Sequence, residues 1–79
     1  MKRDEVFRKV QLIIVDKAGL DVEEVTEGAN LSDDLGFDSL DEIEFIMEIE
    51  AEFDISVNYN DIEKIKTVSE VVDYLEGVL

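Results

Sequence analysis

The sequence predicts an all-α domain: a small four-helix bundle with a long first loop and a short third helix. Three observations lead there. Apolar residues recur at three- and four-residue intervals in separate segments. Capping residues or a glycine stand at most of the boundaries of those segments. Strand signals are weak, because the short alternation Ile55-Ser56-Val57 has no partner segment to pair with.

The first predicted helix covers residues 4–18, where Val6, Phe7, Val10, Ile13 and Ile14 repeat at helical spacing and Gly19 supplies a left-handed terminator. Residues 19–38 are too long for an ordinary connection. Leu20, Val22, Val25, Leu31 and Leu35 are therefore expected to anchor a packed loop against the core. Within it, Asp21-Val22-Glu23-Glu24 and Ser32-Asp33-Asp34-Leu35 each begin with a capping residue and predict single helical turns. The second helix covers residues 39–53. Its apolar arc is wider than one core face needs: Ile46, Ile49 and Phe53, with Phe45 adjoining, form the inner side. Leu40, Ile43 and Met47 form a second stripe, bordered by Asp41, Glu44 and Glu48. Periodicity alone leaves two roles open for this stripe, docking of partners or packing beneath the long loop. Residues 54–66 predict a short or irregular third helix anchored by Val57, Ile62 and Ile65. Thr67-Val68-Ser69-Glu70 is a capping box opening the fourth, which buries Val68, Val71, Val72 and Leu75, ends near Gly77 and lays the Tyr74 ring on the bundle.

Composition narrows the chemistry. Seventy-nine residues suffice for one domain, residues 1–79, that hides about 60% of its unfolded surface. No apolar run reaches the length of a membrane span, and no basic start precedes an apolar stretch, so a cytoplasmic monomer without stable membrane insertion is expected. With no Cys and no His, the chain holds no disulfide and no Cys-His or Ser-His-Asp system. Ser39 has no evident base, and catalysis by this chain is not expected. The net charge is −15, and residues 18–63 carry 16 acids and no base, while the remainder holds seven bases and six acids. Nucleic acid is a poor partner for such a surface, and basic patches on proteins are good ones. No specific metal site is expected, since the acid that a calcium loop needs five residues before Gly36 is replaced by Leu31.

Ser39 is the most informative residue. It falls on the first turn of the second helix, where unpaired amides and the helix dipole favour an attached phosphate. Ser39-Leu40-Asp41-Glu42 also fits a capping box, in which the serine is only a cap. Asp38 is a competing cap that leaves the Ser39 hydroxyl free, so both readings stand together on the local pattern.

The longer run Asp34-Leu35-Gly36-Phe37-Asp38-Ser39-Leu40, continued by an acidic helix to Phe53, resembles the acyl carrier proteins, and the similarity in helix spacing and acidity extends over nearly the whole chain. The resemblance implies an acyl carrier protein-like fold and a covalent 4'-phosphopantetheine on Ser39, placed there by a phosphopantetheinyl transferase from coenzyme A. It implies thioester-bound fatty acyl chains, delivered to fatty-acid synthesis enzymes through basic docking patches that read Leu40, Asp41, Ile43, Glu44, Met47 and Glu48. Asp38 is then either helix cap or an aid in positioning coenzyme A or its metal. An acyl chain would lie among Ile46, Ile49, Phe53, Ile62, Ile65 and Val71. One departure is the lack of the proline that often leads into the family's third helix; Ser56-Val57-Asn58-Tyr59 stands here, which leaves the start of that helix open. The same motif serves carriers of aminoacyl, peptidyl or polyketide intermediates. From a different class, a small acidic inhibitor or interaction protein fits the composition.

Overall fold

Helix α1 runs Arg3–Ala18, α2 Ser39–Phe53, α3 Tyr59–Ile62 and α4 Val68–Val78, with a single 3-10 turn at Val22–Glu24. This computed structural model describes residues 2–79, the side chain of Tyr59 excepted. Acids in the first turn of α1 and Lys17 in its last complement the helix dipole. Gly19, at φ 68°, ends it by donating its N–H to the Val15 carbonyl at 2.9 Å. Helix α4 opens on the predicted Thr67–Glu70 capping box and runs one residue past Gly77.

The bundle closes around one core. Val6, Val10 and Ile14 of α1 meet Phe45, Ile46 and Ile49 of α2 and Val68, Val71, Val72 and Leu75 of α4. Burial of such side chains is worth about 1.5–3 kcal/mol each relative to exposure, so these stripes explain why the helices assemble. Tyr74 is half-buried against the same core.

The long first loop is packed, as its apolar residues require. Val25, Leu31 and Leu35 are buried and Leu20 is half-buried. Val22, expected as an anchor, is instead 46% exposed. The single turn places it outward while its carbonyl, with that of Val25, accepts from Gln11 Nε2 at 3.0 Å. The second predicted turn exists at residues 31–35, but Ser32 does not cap it. Asn30 does: its Oδ1 accepts from the Ser32 and Asp33 amides at 3.0 Å each, and Asp34 Oδ2 accepts from the Asn30 amide at 2.7 Å. Asp21 likewise lies ahead of the 3-10 turn without a side-chain cap bond.

Three backbone hydrogen bonds stitch this loop to the entry of α4. Leu31 N–H donates to Lys66 O at 2.9 Å, Val68 N–H to Ala29 O at 3.1 Å, and Ser69 N–H to Glu27 O at 2.8 Å. The Arg3 guanidinium closes the same flank, with Asp73 at 2.7 Å, Ser69 Oγ at 3.2 Å, and Glu27 and Glu76 alongside. Those carboxylates hold Arg3 charged well beyond its ordinary range.

Candidate functional site

The approach to Ser39 is set by two residues before it. Gly36, at φ 76°, takes the left-handed turn that a side chain disfavours. Phe37 then drops into the core and meets Phe45 of α2 edge to face, with centroids 5.6 Å apart. Anchoring Phe37 inward against α2 brings the next two residues, Asp38 and Ser39, out to the surface.

Helix α2 is capped by Asp38, not by Ser39. Asp38 Oδ1 accepts from the Asp41 amide at 2.8 Å, and Asp41 Oδ2 accepts from the Asp38 amide at 3.2 Å. Of the two caps that the local pattern allowed, the structure uses Asp38, one residue before the Ser39–Glu42 alternative. The extended backbone of Asp38, at φ −94° and ψ −175°, is the geometry a cap requires, whereas Ser39 is already helical. The Ser39 side chain is exposed and takes no part in the cap. A phosphoryl group on its oxygen would stand at the positive end of a 15-residue helix, so the local structure fits the group the motif implies.

Beside Ser39 opens a cleft of about 310 Å³ between α2 and α3. Ile43 and Ile62 give it apolar walls, and Glu42, Asn60, Glu63 and Lys66 line the rest. Of the residues expected around an acyl chain, Ile46, Ile49, Phe53, Ile65 and Val71 are buried together in the core. Ile62 is half-buried, packed against that core and lining the cleft, because α3 is a single short turn at the surface.

On the outer face of α2, Leu40 and Met47 are 61% and 60% exposed, so neither packs beneath the long loop. Ile43 is half-buried between them and the cleft. Glu44 and Glu48 are exposed and Asp41 is half-buried along one side of this stripe. Lys17 enters there from the last turn of α1. Its Nζ donates to Glu44 Oε2 at 3.0 Å, while its side chain is only 11% exposed. Glu44, with Glu48 and Asp41 adding to the field, raises the Lys17 pKa above its ordinary value.

Lys17 was not among the site residues legible in the sequence, and neither were Asn60, Glu63 and Lys66 of the cleft. The one available signal was that Lys17 is the last base before the acidic block. Among the described residues, no three acids cluster at metal-binding spacing, and no helix is long and apolar enough to cross a membrane.

The family profile described as "Phosphopantetheine attachment site" matches residues 8–75. The chain is 50% identical over 77 residues to the acyl carrier protein of Thermotoga maritima, covering 98% of this chain and 95% of that one. Its structure superposes on that of the acyl carrier protein from Enterococcus faecalis with a TM-score of 0.79 and 41% identity over 95% of each chain. With a solvent-facing serine at a helix start inside the matched region, this chain belongs to the acyl carrier proteins, carriers that bear phosphopantetheine.

Proposed function

We propose that Ser39 is the residue that bears the arm, and that the whole chain, residues 1–79, works as one monomeric cytoplasmic carrier domain for fatty acyl groups. One observation carries the assignment of the serine: its hydroxyl is exposed on the first turn of α2 while Asp38 supplies the cap. The transferase brings coenzyme A; Ser39 Oγ forms a P–O bond to the phosphorus that carries pantetheine, the pyrophosphate bond of coenzyme A breaks, adenosine 3',5'-bisphosphate leaves, and the hydroxyl proton passes to a base on the transferase. Asp38 Oδ2, which is not used in the cap, is placed to help position coenzyme A or the transferase's metal. The arm supplies a thiol that holds acyl groups as thioesters.

The remaining residues divide between docking and cargo. Leu40, Ile43 and Met47 present an apolar strip, and Asp41, Glu44 and Glu48 a carboxylate border, to basic patches on the transferase and on fatty-acid synthesis enzymes. An acyl chain leaving Ser39 enters between Ile43 and Ile62 and continues among Ile46, Ile49, Phe53, Ile65 and Val71 as α2 and α3 part. Intact-mass measurement after incubation with coenzyme A and a broad-specificity transferase tests the serine. The native chain is expected to gain one phosphopantetheinyl group and Ser39→Ala none; a native chain that stays unmodified, or a Ser39→Ala chain that is still loaded, overturns the assignment of Ser39.

A further inference from the structure

The docking stripe on α2 contains a cation of the protein's own. No Lys or Arg occurs between residues 18 and 63, yet the fold brings Lys17 across from α1 to a carboxylate in the middle of that block. Two described ion pairs join these helices. Lys9 pairs with Glu52 at 3.7 Å and lies over the Phe53 ring, at the far end of α2 from Ser39. Lys17 pairs with Glu44, one turn beyond Leu40 and one turn before Glu48, on the carboxylate border of the stripe. Its side chain is largely covered, at 11% exposed, whereas Glu44 remains half exposed. The stem is thus packed and the ammonium is held in place; this is not a lysine waving over the surface.

We propose that Lys17 is an internal competitor for the docking surface, occupying the Glu44 carboxylate so that a partner's basic side chain must displace it or engage Asp41 and Glu48 instead. The inference rests on the reading of α2 as the docking helix. It follows from the chemistry of the pair: a carboxylate already accepting at 3.0 Å has less to gain from an incoming lysine or arginine than a free one. The effect is bounded by the strength of an exposed pair, up to about fivefold in an equilibrium constant. It sets which of three acids a partner reads, and so acts on selectivity and association more than on the transfer step.

The test is steady-state phosphopantetheinyl transfer at low ionic strength with the full chain as substrate. Lys17→Met, which keeps an unbranched stem and removes the charge, is expected to lower KM by about two- to fivefold with kcat unchanged, and the gain should shrink as salt is raised. Lys2→Met makes the same change in net charge at an exposed position outside the stripe, and should leave KM as it was. In the double variant Lys17→Met/Glu44→Gln the gain should disappear, because the carboxylate that Lys17 was covering is gone. An unchanged or raised KM in a Lys17→Met protein that melts normally overturns the proposal. So does a gain that survives in the double variant, which would make it a matter of net charge. Asp41→Asn/Glu48→Gln reports separately on the docking reading: a several-fold rise in KM supports it, and no rise removes the docking stripe and this proposal with it.

Discussion

Asp38 and Ser39 are adjacent and both polar, yet the structure gives them different work, and their substitutions should differ accordingly. Asp38→Ala removes the acceptor for the Asp41 amide and the partner of a reciprocal box. The expected cost is about 1 kcal/mol, or about 4–8 °C in the melting midpoint of a domain this small. Ser39→Ala removes a hydroxyl outside the cap and should move the midpoint by less than about 0.5 kcal/mol equivalent. Thermal melts of the two apo variants check this, and equal losses would return the cap to Ser39. Asp38→Asn retains a capping acceptor, so slower loading in a variant that melts normally isolates the positioning role of the carboxylate. Lys17 adds a pH consequence. Its folded pKa lies above the ordinary 10.5, so the stabilisation from protonated Lys17 is fully present below that value. It is lost only as the pH climbs through the higher folded value, leaving this lysine charged at neutral pH.

At the scale of elements, α2 turns one side of its apolar arc to the core and leaves the other in water, and the cargo prediction concerns the inner side. Each methylene of a saturated chain that reaches the core gains about 0.8 kcal/mol before the cost of parting the helices. Melting midpoints should therefore rise with acyl length across a series of acyl-loaded proteins, and flat curves would contradict entry into the bundle. The helices themselves were legible because their information is local. Helical spacing and Gly19 mark α1, the run from Ser39 to Phe53 marks α2, and Thr67 with Glu70 marks α4. The short α3 and the packed loop were legible in outline, from sparse apolar anchors. Other features depend on distant segments meeting. Asn30 displaced Ser32 as the capping residue because it sits where the loop bridges to Thr67, and Val22 faces water because its carbonyl is turned to Gln11. The ion pairs of Arg3 and Lys17 span 24 or more residues of sequence, and no periodicity encodes them. At the candidate site, the serine and the second apolar stripe could be read in advance, while the stripe's exposure, the cleft walls from α3 and the lysine from α1 could not.

For the molecule as a whole, the uneven charge of the sequence becomes a spatial arrangement in which the basic first helix serves as counter-ion to the acidic block. Arg3 meets Glu27, Lys9 meets Glu52 and Lys17 meets Glu44. Three such pairs leave most of the 16 central acids without a described basic partner, and their mutual repulsion opposes the compact state at neutral pH. Magnesium, calcium or added salt should raise the melting midpoint, by about 4–8 °C for each kcal/mol of repulsion relieved. The rise should be gradual rather than saturating at one equivalent, since no three acids among the described residues form a cage. A midpoint indifferent to both divalent ions and ionic strength would show that the repulsion is weak.

The seams of the bundle are fastened unequally. On one flank the first loop is sewn by three main-chain bonds to the start of α4 and riveted by Arg3; on the other, α2 and α3 face each other across an open cleft. On the proposed route for the acyl chain, swelling under load is thereby given a direction: the bundle would open like a book, its spine at the loop and last helix and its pages parting next to the serine.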